Sequence, residues 1–169
     1  AVSAPYGLWH GGSDNPGLVP SLAELTELVR SLGLTPETHA VIVYAGVDAT
    51  DFGGAARAYW TLKSLGMQEI SILNGGLAAW TEAGHAPSDQ PATVPRSDWA
   101  PSFNPQWMAT RAEVLASLGQ PGTLLVDARP PPYYQGRTAP PQAKARGTLP
   151  GAVSLDSELF FELGSAELM

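Results

Sequence analysis

The hydrophobic pattern of the first half of the chain alternates between helical and strand spacing. Leucines and a valine share one helical face over residues 21–32, behind a capping-box pattern that begins at Ser21. The mostly β-branched run 41–44 is typical of a buried parallel strand. A second helix is predicted over 52–65, with Asp51 as its cap.

The same alternation continues before the pattern breaks. The run 70–73 predicts a second buried strand, and 77–83 predicts a short helix. Alternating strands and helices indicate an α/β fold, with a doubly wound parallel sheet and helices on both faces. Five prolines between residues 85 and 105 interrupt both kinds of ladder, so this segment is predicted to be a linker.

A second unit is predicted after the linker. It begins with a short strand at 107–108, a helix over 110–118 and a strand over 124–127, and prolines then forbid regular structure until Gly151. The two early strands would otherwise expose unpaired edges. We therefore expect the 124–127 strand to complete their sheet as a permuted single domain, or a missing piece of chain to cover them.

Charge and hydropathy exclude several classes of partner. The 169 residues carry a formal charge of −7 and no cluster of lysines and arginines, which argues against nucleic acid. No apolar run approaches the roughly 18 residues that a membrane span needs. The first residues show no export signal and are typical of the interior of a domain.

The chain contains no cysteine, which limits its chemistry more than any other feature of its composition. Disulfides, thiolate metal sites and cysteine nucleophiles are excluded within these residues. The histidines, His10, His39 and His85, lie far apart and have no second ligand at a helical or hairpin spacing. We expect neither a metal site nor a cofactor.

Four segments in order along the chain carry a family resemblance. Residues 41–60, 72–80, 125–129 and 147–152, the last reading Gly-Thr-Leu-Pro-Gly-Ala, resemble a tandem-domain rhodanese, a thiosulfate or 3-mercaptopyruvate sulfurtransferase. The resemblance spans most of the chain. It implies a rhodanese-like doubly wound sheet.

A weak internal repeat, taken with this resemblance, indicates how the domains are divided. Ala-Val-Ser at 1–3 recurs at 152–154, as though the chain began inside one repeat and stopped at the equivalent point of the next. The resemblance then implies the later half of a non-catalytic domain over 1–84 and a proline-rich linker over 85–105. The earlier half of a second domain follows over 106–169, truncated before its catalytic loop.

The resemblance also assigns roles in the first domain. Active rhodanese domains open the loop after the central strand with a cysteine, and Ala45 occupies the matching position. Asp48 and Asp51 lie in that loop, where their charges would repel an anionic donor. Phe52 matches an aromatic that the inactive domain lends to the active pocket; alternatively, it packs in its own core.

In the second domain the resemblance points to Asp127 and Arg129, an Asp-x-Arg element that supports the site structurally. A carboxylate nucleophile at Asp127 is the alternative, but no second aspartate follows two residues later. Tyr133 stands where active members usually have an arginine, and it and Tyr134 are candidates for the substrate pocket. Thr148 replaces the usual histidine.

The resemblance implies a fragment of a sulfurtransferase. Such an enzyme moves sulfane sulfur from a thiosulfate- or mercaptopyruvate-like donor to a thiophilic acceptor through a cysteine persulfide, here located outside the chain. The alternative is a catalytically inactive rhodanese module that binds a partner or an anion. An unrelated hydrolase would need a Gly-x-Ser-x-Gly or paired-aspartate motif, which is absent.

The expected partners are a small anionic sulfur donor and the missing fragment of the same protein. Members with a Thr-Leu-Pro-Gly-Ala element such as residues 148–152 are exported. The resemblance therefore favours a periplasmic location, with a cytoplasmic one as the alternative.

Overall fold

The computed structural model describes residues 1–12 and 17–169 and divides them into two compact units. The first unit comprises Ala1–Met108 together with Ser165–Glu167, and the second comprises Ala109–Gly164 together with Leu168–Met169. Each unit is built around its own two-stranded parallel sheet. In both, helices and parallel strands combine in an α/β arrangement, as the sequence predicts.

Helices and strands alternate in the first unit. Its elements are a 3-10 turn (Tyr6–Leu8), α1 (Leu22–Ser31), β1 (Ala40–Ile42), α2 (Ala49–Ser64), β2 (Ile70–Ile72), α3 (Gly76–Glu82) and a 3-10 turn (Pro105–Trp107). The two strands run parallel with Ala40 opposite Ile70 and Ile42 opposite Ile72. The predicted order of helices and strands up to α3 is confirmed.

The start of α2 differs from its prediction by about one turn. Asp48, not Asp51, caps the helix, because its extended backbone lets its carboxylate accept the Asp51 N–H at 2.8 Å. By contrast, α1 has the predicted capping box: Ser21 Oγ accepts the Glu24 N–H, and the Glu24 carboxylate accepts the Ser21 N–H at 2.8 Å. The prediction for Asp51 as a cap is therefore wrong, and its carboxylate is available for another contact.

The strands are less buried than predicted. Val41 and Val43 are 54% and 46% exposed, although Ile42 between them packs against the core. Helix α2 packs against β1 and β2. The sheet therefore buries one set of side chains, whereas the sequence run suggested burial of both sets.

The core of the first unit lies around α1 and α2. Its buried residues are Trp9, Leu25, Val29, Ala58, Leu62, Leu65 and Met67. Part of the predicted linker covers this core, since Trp99 and Phe103 pack against it and the Arg30 guanidinium donates to the Trp99 carbonyl at 2.8 Å. The strand predicted at 107–108 is wrong: Asn104 accepts the Gln106 N–H and starts a 3-10 turn there.

The second unit contains α4 (Arg111–Ser117), β3 (Val126–Asp127), α5 (Pro131–Tyr134), β4 (Val153–Ser154) and a 3-10 turn (Ser157–Phe160). Strand β3 pairs with β4 and belongs to a separate sheet from β1 and β2. The expectation that strand 124–127 completes the first sheet is therefore wrong. The prediction that residues 130–150 lack regular structure is also wrong, because prolines fit the first turn of a helix such as α5.

The α4 prediction is confirmed down to its capping box. Thr110 Oγ1 accepts the Glu113 N–H at 3.2 Å, and the Glu113 carboxylate accepts the Thr110 N–H at 2.6 Å. Among the residues that the structure describes, the search for a helix long and apolar enough to span a bilayer finds no candidate.

Candidate functional site

The loop after β1 is held by the start of α3. The Leu77 N–H donates to the Tyr44 carbonyl at 2.8 Å, and the Ala78 N–H donates to the Ala45 carbonyl at 3.0 Å. Ala45 itself is exposed. The position predicted to match the nucleophile of active rhodanese domains therefore presents a methyl group beyond the carboxyl end of a parallel strand, where α/β proteins place their reactive groups.

Gly46 lets this loop pass close to α3. It has a φ of +87°, and a β-carbon on it would collide with the carbonyl oxygen of Gly75. Only glycine combines that backbone conformation with so close an approach. The path of the loop therefore depends on glycine at position 46 and on its packing against Gly75.

Asp51 fills the loop with its own carboxylate. A single oxygen of Asp51, Oδ2, accepts the N–H of Gly46 at 2.8 Å and that of Val47 at 3.1 Å. These donors, close to the amino terminus of α2, are the kind of group that holds anions in proteins. The negative charge at this point is thus supplied from within the chain.

The loop consequently offers little to an external anion. The N–H groups of Gly46 and Val47 are engaged by Asp51, and Asp48 adds a second carboxylate that caps α2. An incoming anion would have to displace Asp51 and approach both negative charges. No side chain of the loop 45–51 is a strong nucleophile.

Phe52 lies beside the same strand. Its ring meets that of Tyr44 edge to face at 5.5 Å between centroids, and it packs against a small cluster formed by Tyr44, Ala55 and Ala166. The side chain is half-buried. Its role in a substrate pocket stays a prediction, and within the first unit it contributes to packing.

In the second unit, Asp127 and Arg129 form a fork at the carboxyl end of β3. Asp127 Oδ1 accepts the Nε–H of Arg129 at 2.9 Å and its main-chain N–H at 3.1 Å, while Oδ2 accepts from Nη2. Arg129 Nη2 also donates to the Gly147 carbonyl at 2.9 Å. The pair therefore joins β3 to the chain that leads into β4.

The ionised form of the Asp127 carboxyl is strongly favoured. The guanidinium of Arg129, followed by the hydroxyl of Thr148, holds the pKa of the Asp127 carboxyl well below its usual range. Sequence reasoning noted Thr148 only as a departure from histidine and missed this hydrogen bond. A carboxylate so firmly engaged is suited to holding the loop and poorly suited to nucleophilic attack.

Both tyrosines of α5 are half-buried. The Tyr134 hydroxyl donates to the Ala152 carbonyl at 3.0 Å. A cleft of about 590 Å³ beside β3 is lined by Asp127, Arg129 and Arg146, and neither tyrosine lines it. The substrate-pocket roles of Tyr133 and Tyr134 stay predictions.

Within residues 1–12 and 17–169, no group of three or more histidine, aspartate or glutamate side chains is arranged to hold a metal ion. The hydrogen bonds at the two sites hold loops and pair charges. Nucleophilic sulfur chemistry requires a thiolate, and the sequence has no cysteine to supply one.

Comparison with known sequences points to one group of enzymes. The chain is 31% identical to the thiosulfate sulfurtransferase of Gallus gallus over 85% of its length and 48% of the relative's. It is 35% identical to a probable 3-mercaptopyruvate sulfurtransferase of Pseudomonas aeruginosa over 79% of its length and 46% of the relative's. The chain thus spans about half the length of these curated relatives. No family model matches it.

Comparison of structures agrees with this result. The chain superposes with a TM-score of 0.81 on the 3-mercaptopyruvate sulfotransferase SseA of Escherichia coli, which is described as having the rhodanese fold. The superposition covers 99% of the chain and 61% of SseA at 23% identity. The same score is found against wild-type EanB, over 100% of the chain and 44% of EanB. The sequence relatives are thiosulfate and 3-mercaptopyruvate sulfurtransferases, and the structure has the rhodanese fold.

Proposed function

We propose that this chain is the part of a tandem-domain sulfurtransferase that holds the later half of the non-catalytic domain and the earlier half of the catalytic one. In this proposal, sulfane sulfur passes from a thiosulfate- or mercaptopyruvate-like donor to a thiophilic acceptor. The carrier is a cysteine persulfide located outside these 169 residues. The names of the sequence relatives support the class of reaction.

The observation that carries the division of labour is the filled loop of the first unit. Ala45 cannot form a persulfide, and the donors that would steady one already bind Asp51. Converting Ala45 to cysteine would place a thiol near two carboxylates, which favour its protonated form. The first unit therefore has a structural part in the proposed enzyme.

The second unit supports the same proposal from its organisation. The Asp127–Arg129 fork ties the carboxyl end of β3 to Gly147, ahead of β4. Yet Asp127 is the one buried side chain among the described residues of this unit, and Val126 and Val153 on its strands are 49% and 42% exposed. Such a unit needs further polypeptide to cover its apolar side chains.

The alternative function, an inactive module that binds an anion, makes a different prediction at the loop. With the N–H groups of Gly46 and Val47 engaged by Asp51, we expect no saturable binding of sulfate or thiosulfate there. An NMR titration that showed saturable binding, with shifts of the amide signals of Gly46 and Val47, would favour the alternative.

We further propose a periplasmic location for the whole protein, on the resemblance of residues 148–152 to exported members. Fractionation of cells that produce the protein from its own gene tests this. Recovery with cytoplasmic markers would contradict it.

Thiocyanate formation from cyanide and thiosulfate or 3-mercaptopyruvate tests the proposed function. Three proteins are compared: the 169-residue chain, its Ala45→Cys variant and the longer polypeptide that contains it. We expect turnover by the longer polypeptide alone. Turnover by the unmodified chain would overturn the proposal, as would inactivity of a folded longer polypeptide with both donors.

A further inference from the structure

A short segment far along the sequence completes the first unit. Residues Ser165–Glu167 belong to this unit, although the rest of it ends at Met108. Ala166 is only 5% exposed and is buried with Tyr44 and Ala55. The Tyr44 hydroxyl donates to the Ala166 carbonyl at 2.7 Å.

The contact extends to the start of α3. The Gly75 N–H donates to the Tyr44 hydroxyl, so that the hydroxyl links Gly75 to the Ala166 carbonyl. A β-carbon on Gly75 would lie 3.0 Å from Cγ and Oε1 of Glu167. The Glu167 N–H donates to Ser165 Oγ at 2.9 Å, which closes the segment into a compact turn.

We propose that Ser165–Glu167 is a strap that docks on the Tyr44 hydroxyl and closes the carboxyl end of the first sheet. The strap lies beside Gly75, whose carbonyl closely approaches Gly46, so it borders the loop 45–51 and leaves Ala45 exposed. This inference holds whether or not the chain takes part in sulfur transfer.

The strap should open locally without unfolding of the unit. It is held chiefly by one buried methyl group and one side-chain hydrogen bond, and both flanking residues, Gly164 and Leu168, are exposed. Segments with so few buried contacts open at a lower free energy than the core. Leu163, just before the strap, is fully exposed.

The chemistry of the latch depends on a neutral tyrosine. Burial is the largest cause that raises the pKa of Tyr44, and the charges of Asp51 and Glu167 add to it. A phenolate could not donate to the Ala166 carbonyl and would face both carboxylates. The docked strap therefore requires the protonated hydroxyl.

Because the chain has no cysteine, an introduced cysteine is the only thiol that a reagent can label. Ala166→Cys places a thiol in the docked segment, and Leu163→Cys provides an exposed reference three residues away. Labelling rates with a thiol reagent are measured for each in the full chain, at a pH where all tyrosines are protonated. Each is then combined with Tyr44→Phe or with the control Tyr6→Phe, whose tyrosine is 54% exposed.

We expect Ala166→Cys to react at least about tenfold more slowly than Leu163→Cys, because its thiol is reached only after local opening. Tyr44→Phe should accelerate the labelling of Ala166→Cys by about two- to tenfold, the range expected for the loss of one hydrogen bond. Tyr6→Phe should change neither rate, and Tyr44→Phe should leave that of Leu163→Cys unchanged.

Equal reaction of the two thiols would overturn the strap, and so would an Ala166→Cys rate that Tyr44→Phe leaves unchanged. If tryptophan fluorescence shows that the extra sulfur atom unfolds the unit, Ser165→Cys exchanges a single atom in the same turn. The same comparison with Tyr44→Phe then decides.

Discussion

Removal of the Asp51 carboxylate perturbs the loop of the first unit most directly. Asp51→Ala leaves the N–H groups of Gly46 and Val47 without their acceptor and removes a negative charge from the first turn of α2. Hydrogen bonds to charged groups contribute about 1.5–3 kcal/mol each, but this loop is half-exposed and water can replace part of that. With the helix dipole included, we expect a loss of about 2–3 kcal/mol.

Two matched variants separate the causes. Asp51→Asn keeps an amide oxygen that can accept both N–H groups and should cost about 1 kcal/mol, the part due to charge. Asp48→Ala removes only the helix cap and should also cost about 1 kcal/mol. The loss of unfolding free energy in Asp51→Ala beyond that in either of these variants measures what the hydrogen bonds from Gly46 and Val47 to Asp51 contribute.

Tryptophan fluorescence during urea unfolding gives this measurement for the first unit alone. All five tryptophans of the chain precede residue 109: Trp9, Trp60, Trp80, Trp99 and Trp107. For a denaturant slope of about 1–3 kcal/mol/M, the expected loss lowers the urea midpoint by roughly 0.7–3 M. An Asp51→Ala midpoint equal to that of Asp48→Ala would refute the reasoning, since the loop donors would then owe nothing to Asp51.

Three further outcomes are expected. In a spectroscopic titration, Tyr44 should ionise above the ordinary pKa of tyrosine because of its burial, and the stability that it contributes should be full below about pH 10 and lost as the pH rises through its higher folded-state pKa. Because Arg129 lowers the pKa of Asp127, the stability from this pair should be full above about pH 4 and lost as the pH falls towards the lower folded-state pKa. Arg129→Ala should then raise the Asp127 pKa in an NMR titration, and an unchanged value would contradict the assigned cause. Gly46→Ala should destabilise the first unit by more than about 2 kcal/mol in urea unfolding. The control Gly66→Ala has a φ of +99° but open space around it, and an equal loss there would show that backbone strain alone is responsible.

Local signals in the sequence predict the helices well. The capping boxes at Ser21 and Thr110 fix the starts of α1 and α4, because their hydrogen bonds join residues only three apart. The start of α2 was misplaced because Asp48 and Asp51 are both good caps, and the extended backbone of Asp48 decides between them. The prolines at the start of α5 predict a break in regular structure, but a helix tolerates proline in its first turn.

Contacts between distant residues leave no such signal. Tyr44 and Ala166 are separated by 122 residues, and nothing in the sequence around either one indicates their hydrogen bond. The same holds for the sheets: the run 124–127 predicts a strand, but its pairing with β4 depends on tertiary structure. Among the site residues, Asp127 and Arg129 hydrogen-bond two residues apart, whereas the bonds of Asp51 to Gly46 and Val47 depend on the path that the loop takes past Gly75.

The position of the sulfur carrier is the central claim, and intact-mass spectrometry tests it most directly. Two proteins are compared, the 169-residue chain and the longer polypeptide that contains it. Each is incubated with thiosulfate or 3-mercaptopyruvate, and its intact mass is measured before and after reduction. We predict that the longer polypeptide gains the mass of one sulfur atom and loses it on reduction, while the chain alone gains none. A reducible gain of sulfur on the chain itself, which has no cysteine, would contradict the account.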